Sequence, residues 1–385
     1  MAGGLLQRAQ QIGFKLEGTE GTAETPAAAD ADLLVYDVEF EPQVERSKRN
    51  PARKYLTPLP SIPGKWMGKI SFGVELKGSG SIATAPSWGK CLKACKMQEV
   101  AISTIAIGAV TSGPFRPGER ITGAPSAGVG IVVDRIPTGT SPLPYVVVSG
   151  VLANGDVITG ESSGASATAS GAPTAAQGYN YRPVSTGDSS ATISFWHDGL
   201  LHKIYGARGT VKGTCKNGGV AMLRFEFTGV YDDTSDVAMP DPTHEATVPV
   251  AVVDVGIYLD TINPIIAGLD FDLGNQVTAR ESAHAVKGVL SVRVGSREPT
   301  VTIDPEATLV ADFDWWTKLQ ASTTSYLRMQ VGSAAGNKII LGAGALSYDA
   351  VRQQARGDVQ VLGVTLGCVS PNVSRGDNEF LISMM

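Results

Sequence analysis

The stretch FWHDGLLHK holds the side chains best suited to acid–base or metal chemistry: His197, Asp198 and His202. Two imidazoles beside a carboxylate meet the first requirement of a general base or a metal ligand set. A plainer reading competes. Asp198-Gly199 between apolar flanks is a hairpin-turn signal, because aspartate and glycine tolerate the positive φ that such turns need. The turn reading is adopted. Cys91 and Cys95 stand one helical turn apart, but a metal would need two more ligands, and no matching CxxC or His pair exists. With Cys215 and Cys368 they read as reduced thiols. The Gly342-Ala343-Gly344-Ala345 stretch has no phosphate-binding pattern, and Arg375-Gly376-Asp377 reads as a turn. There is no GxSxG elbow, Walker A loop, HExxH or GxGxxG. The chain is therefore expected to be no enzyme and to carry no cofactor or metal.

The charged residues that do form a pattern are of another kind. Val38-Glu39-Phe40-Glu41 and Leu269-Asp270-Phe271-Asp272 alternate apolar with acidic residues. A period of two puts the acids on one face of a strand and the apolar side chains on the other. Glu226 holds a similar place in LRFEFTG. Arg46, Lys48, Arg49, Arg53 and Lys54 concentrate five cations within residues 46–54. They lie in a Pro-punctuated segment, 46–64, that reads as a long polar loop, and loops of that length are usually interaction elements.

The elements that position these residues occur twice. Each alternating acidic strand is followed by a second alternating stretch, Ile70 to Leu76 and Thr300 to Ile303. A short helical segment follows each, with Trp88-Gly89-Lys90 matching Trp316-Thr317-Lys318. Then come Lys203 to Arg208 and Lys338 to Gly344, and a closing strand, Leu223 to Gly229 and Leu362 to Gly367. Five elements in one order, repeated, indicate a duplicated module.

At 385 residues with 43% hydrophobic content the chain can build two or three domains. Its 45 glycines favour short strands and turns. Residues 1–31 read as an N-terminal arm, 32–104 with 181–231 as module 1, and 251–385 as module 2. The acidic, Pro-punctuated 232–250 reads as a linker. Residues 105–180 read as an inserted small β domain with its own repeat, SGPFRPGERITG and SGVLANGDVITG, offset by 37 residues. The fold class is mainly β: two tandem sandwich or barrel modules, each with a short helix, plus the small all-β insertion. A net charge of −5 argues against tight sequence-independent binding to nucleic acid. The N-terminus is too polar for a signal peptide and no apolar run is long enough to span a bilayer, so synthesis and folding in a cytoplasm are expected.

The order of strand, basic loop, strand, Trp-bearing helix and hairpin resembles the major tail tube proteins of long-tailed, siphovirus-like bacteriophages. The residues that carry the resemblance are KLEGTEGTAETPAAADADLLVYDVEF, ISFWHDGLLHKIYGARGTVKG, GGVAMLRFEFTGVY and LDFDLGNQV. They match the branch with duplicated tube subunits, and residues 105–180 look like the Ig-like or decoration-type insertions of phage structural proteins. The resemblance implies a virion tail protein, assembled in the host bacterial cytoplasm. Its copies stack as rings into a conduit through which DNA passes without tight binding. A duplicated chain makes a trimer with pseudo-sixfold symmetry, ahead of a hexamer. Six modules of four strands give about 24 strands and a barrel roughly 48 Å across its backbone. Tape measure, tail terminator and distal tail proteins are the implied partners.

Within that resemblance, Glu39, Glu41, Asp270, Asp272 and, less directly, Glu226 are expected to face the lumen as an acidic wall. Arg46, Lys48, Arg49, Arg53 and Lys54 are expected to join ring to ring. The insertion is expected to project outward and to be dispensable for assembly. Two rival classes remain. A carbohydrate-binding or adhesin module would need exposed aromatic platforms, and the 112–170 stretch offers Phe115 and Tyr145. A hydrolase would need a nucleophile–base pair that the sequence does not display.

Overall fold

Half of the chain is strand and 4% is helix in the computed structural model, which makes the fold mainly β. Residues 6–370, 372 and 375–385 are described. The first module opens with β1 (Gln10–Leu16), β2 (Val35–Arg49), β3 (Leu59–Glu75) and helix α1 (Gly89–Ala94). A stalk strand, β4 (Met97–Ala101), leads into the insertion: β5 (Ser103–Ile105), β6 (Arg120–Ala124), β7 (Val129–Val132), β8 (Leu143–Ser149), β9 (Val157–Gly160) and β10 (Ser166–Thr168). The chain returns through β11 (Tyr179–Pro183) to β12 (Ala191–His197), β13 (Leu200–Lys216), β14 (Met222–Tyr231) and the two-residue β15 (Ser235–Asp236). The second module holds β16 (Gly256–Leu259), β17 (Gly268–Asp272), β18 (Asn275–Glu281), β19 (Val289–Arg297), β20 (Thr300–Ile303) and α2 (Trp315–Gln320). It ends with β21 (Ser325–Val331), β22 (Ile339–Arg356), β23 (Val359–Cys368) and β24 (Leu381–Met384).

The duplication is explicit in the pairing. Module 1 forms the order β2-β3-β14-β13, and module 2 the order β17-β20-β23-β22. In each, a second short pair closes the other side of the core: β1 on β12 beside the start of β13, and β16 on β21 beside the start of β22. The long strands β13 and β22 serve both sheets, changing partner near a register shift, as strands do when they turn a sandwich corner. One apolar core runs through both modules, from Phe14, Phe72 and Phe227 to Leu269, Trp315 and Leu366.

The residues read as an arm are not wholly an arm. Ile12 and Phe14 alternate across Gly13, so Gln10–Leu16 becomes a strand with both side chains fully buried. Gly13 is needed there, because a Cβ would lie 2.8 Å from the Trp196 ring. The 46–64 segment is mostly hairpin rather than loop: Arg46 pairs Pro63, Ser47 pairs Ile62, and Arg49 pairs Leu59. Its prolines misled because Pro51 and Pro58 fall in the connection 50–58, and Pro60 and Pro63 sit where β3 pairs with β2 and not with β14, so their missing N–H groups break no second ladder. The tryptophan repeat is also out of step. Trp88 and Trp315 are the buried pair, while Trp316 is exposed. Residues 237–250 hold no strand, but this linker is tied down, with Glu245 accepting from the Ser87 amide and hydroxyl.

The insertion has its own sheet, β10-β9-β6-β7-β8-β5, and its own core around Phe115, Tyr145 and Ile158. Its repeat is a local twofold: β6 and β9 pair antiparallel with Thr122 opposite Thr159. The carboxylates before each ITG triplet brace the opposite loop. Glu119 accepts from the Ser162 and Ser163 amides at 2.9 and 2.6 Å, and Asp156 accepts from the Ser126 amide at 3.1 Å. The two ends lie together, since Tyr179 pairs Ala101.

The insertion does not simply project. Asp134, 4% exposed, receives Arg328 at 2.7 and 3.1 Å and Lys338 at 3.1 Å. Burial alone would raise the Asp134 pKa. The Arg328 hydrogen bond and charge, then Lys338, outweigh it and hold the pKa below the ordinary carboxylate value. Ile131, Val133 and Val146 pack with Ile340 of β22 in a small core of their own. Gly118, at φ +75°, sits so close that a Cβ would lie 2.8 Å from the Asn378 carbonyl oxygen.

Candidate functional site

The two four-stranded orders join into one eight-stranded sheet where β13 pairs β17. Lys212 stands opposite Asp272, Gly213 opposite Phe271 and Thr214 opposite Asp270. The Lys212 ammonium meets the Asp272 carboxylate at 2.9 Å, and that hydrogen bond and charge raise the lysine pKa. Gly213 is obligatory, because a Cβ there would lie 1.9 Å from the Phe271 ring. Cys215, on the buried side, is pushed up to about 12 by burial and is no ready nucleophile.

A hairpin reinforces the junction. Among the described residues β18 and β19 pair only with each other, and they lie over module 1. The Asn275 amide donates to the Cys95 carbonyl at 2.7 Å and to the Gly209 carbonyl at 2.9 Å. Lys96 donates to the Val294 carbonyl at 3.0 Å, closing the end of α1. Glu20 lies among Arg208, Arg280 and Arg293 at 3.5 to 3.8 Å and accepts from Ser291. Burial would raise its pKa, but Ser291 and the arginines leave it lowered. At the tip, Lys65 pairs with Glu281 at 2.8 Å and Lys287 lies 4.1 Å from the Trp66 ring centre.

The five acids of the sequence pattern share the face of this sheet that points away from the core. Phe40 and Phe271, between them, turn inward. The face is not the plain acidic wall that alternation suggested. Glu39 pairs with Arg224 at 3.1 Å, Glu226 with Lys69 at 2.5 Å, and Asp272 with Lys212. Among the described residues Glu41 and Asp270 have no cation within ion-pair distance. The signal for this was present: Lys69, Lys212 and Arg224 occupy the same phase of their own strands. Arg46, Lys48 and Arg49 line the outer end of β2, and Arg53 and Lys54 lie in the tip with exposed Tyr55 and Leu56.

The missed feature is a pair of open edges. Among the described residues β2 pairs only β3, and residues 347–356 of β22 pair only β23. A free β2-type edge and a free β13-type edge are the two halves of the junction already closed inside the chain.

Other candidate chemistry resolves into structure. Asp198 and Gly199 have φ of 49° and 92°, the two-residue turn between β12 and β13. Burial, then His197, lowers the His202 pKa. Asp377 of the Arg-Gly-Asp triplet accepts from Ser185 at 2.6 Å and pairs with Arg297 at 2.6 Å. All four cysteines are free and buried. Among the described residues no group of three or more His, Cys, Asp or Glu is placed to hold a metal, and no helix is long and apolar enough to cross a membrane. Phe115 and Tyr145 are core residues, so neither is presented as an exposed aromatic platform.

The class defined by these observations is a duplicated β chain with one closed junction and the two halves of another left open. No protein-family model matches the chain, and no curated protein matches it.

Proposed function

We propose that the chain is a non-enzymatic building block that closes head-to-tail into rings. These rings stack into a tube of the phage-tail type that conducts DNA. The observation that carries this is the β13–β17 junction together with the free β2 and β22 edges. An interface between two different edges either closes into a ring or runs on as a filament. An unpaired edge is also an aggregation hazard that a closed barrel abolishes. In a closed ring the core side, bearing the helices and the insertion, would lie outside. The charged face would then line the hole.

A wall of paired charges suits passage of DNA differently from a uniform acidic wall. Each lysine or arginine engaged by a carboxylate is less available to phosphate, so counterion release on DNA contact is small. Trimeric rings, a virion tail location and tape measure, terminator and distal tail partners belong to the same proposal. Negative-stain microscopy of concentrated protein tests it. Rings or tubes with an open centre are expected, and monodisperse single chains at every concentration would remove the reading.

A further inference from the structure

The internal junction specifies the register of the external one. Pairing aligns the modules residue by residue. Ile70 lies between Phe40 and Phe227, and Val301 lies between Phe271 and Leu366. Two residues along, Phe225 faces Val211, and Val364 faces Val351. Val351 is thus the counterpart of Val211. Arg352, Gln353 and Gln354 are the counterparts of Lys212, Gly213 and Thr214. On the opposite strand Glu39, Phe40 and Glu41 correspond to Asp270, Phe271 and Asp272.

We infer that β22 of one copy pairs antiparallel with β2 of the next, with Arg352 opposite Glu41, Gln353 opposite Phe40 and Gln354 opposite Glu39. This rests on the ring-forming reading above. The charges fit: Lys212–Asp272 becomes Arg352–Glu41, cation and acid on the same two strands. Arg352 and Glu41 are both exposed in the single chain. Among the described residues Glu41 is also one of the two acids of that face without a cation within ion-pair distance. Gln354 already lies on the charged face, its amide over Gly363, where a Cβ would meet it at 2.7 Å. One position differs. Gln353 replaces Gly213, so the Phe40 ring has no cleft to enter across the junction. It stays in its own module, stacked on His202 at 4.8 Å.

The hairpin follows the strand. Inside the chain β18–β19 covers the end of α1. Lys96 and Ser322 mark the same position after their helices, both left-handed at φ 62° and 51°. Cys95 is fully buried beneath the hairpin, whereas residues 320–324, from the last residue of α2 onward, are exposed. The β2–β3 hairpin of the next copy is the counterpart that would cover them. Its cations approach Asp312 and Asp314 beside exposed Leu309, Val310 and Trp316. Arg46, Lys48, Arg49, Arg53 and Lys54 then serve a contact within the ring rather than one between rings.

Two cysteine pairs in the full chain test the register, since the native thiols are buried. Gln354→Cys with Glu39→Cys brings Cα atoms within the roughly 4.4–6.8 Å that a disulfide spans. Gln354→Cys with Glu41→Cys is off by two residues, adding about 6.8 Å along the strand. After mild oxidation the first variant is expected to give reducible covalent dimers and closed multimers, and the second none. Rings that form but cross-link in the second register, or in neither, overturn the register and leave the ring reading standing. An absence of multimers in the wild type overturns both. Hydrogen exchange of residues 320–324 tests the hairpin: assembly should slow it at least tenfold. Unchanged exchange in assembled rings returns the five cations to a ring-to-ring role.

Discussion

Replacing Asp134 with Ala removes the carboxylate that holds Arg328 and Lys338 at the boundary between the insertion and module 2. Its side chain is 6% exposed, and those of Arg328 and Lys338 are 11% and 24% exposed. Removing one partner of a buried pair costs about 3–5 kcal/mol, because the remaining charge is left uncompensated. The lower end applies here. Lys338 can turn to water, and Arg328 keeps the Gly256 carbonyl and Gln330. A loss of about 3 kcal/mol lowers the unfolding midpoint by about 6–12 °C for a unit the size of the insertion plus module 2. Scanning calorimetry of Asp134→Ala reads this directly. A double-mutant cycle with Arg328→Ala should show the double variant losing less than the two single losses added. The pH dependence has a definite sign. The folded pKa lies below the unfolded one. The contribution is therefore complete above about pH 4, the unfolded carboxylate value, and is lost as pH falls through the lower folded value. Asp134→Asn should lack that part of the acid-side slope. A midpoint within 1 °C of wild type, with an unchanged slope, would show that the insertion is not anchored by this cluster.

Deleting residues 108–178 and joining the ends with Gly-Ser should lower stability and give aggregation on expression, because Ile340 is uncovered and Arg328 and Lys338 lose Asp134. A stable deletion variant with the wild-type melting temperature would restore the view of a dispensable decoration. Gly213→Val should open the β13–β17 junction by forcing a methyl group into the Phe271 ring, costing about 1–3 kcal/mol. Faster hydrogen exchange in β17 checks it, and wild-type protection there would contradict the close packing. Glu119→Gln should cost about 1.5–3 kcal/mol by exchanging charge-assisted hydrogen bonds for neutral ones. A denaturation curve superimposable on wild type would contradict the bracing role of that carboxylate.

The duplicated order, the short helices and the turn at Asp198-Gly199 were legible because they depend on local alternation and turn chemistry. The insertion was legible as a unit through its repeat, but its docking was not. Asp134, Arg328 and Lys338 are separated by up to 204 residues and carry no local pattern. The strand at Gln10–Leu16 was missed because two buried side chains around one glycine are a weaker signal than the Gly/Thr/Ala run that follows. The uniform acidity of that sheet face was overstated for a related reason. Alternation within one strand reveals a face, but the ions opposite come from neighbouring strands whose register only the folded sheet supplies. The open edges follow from the same topology and lie beyond any single-strand pattern.

Native mass spectrometry of assembled wild-type protein, matched to end-on electron-microscope class averages, tests the ring most directly. The account expects a closed species of three 40.1 kDa chains, about 120 kDa, as six similar lobes around an open centre. A single-chain mass at assembly concentrations, or a twofold dimer without a central hole, would contradict it.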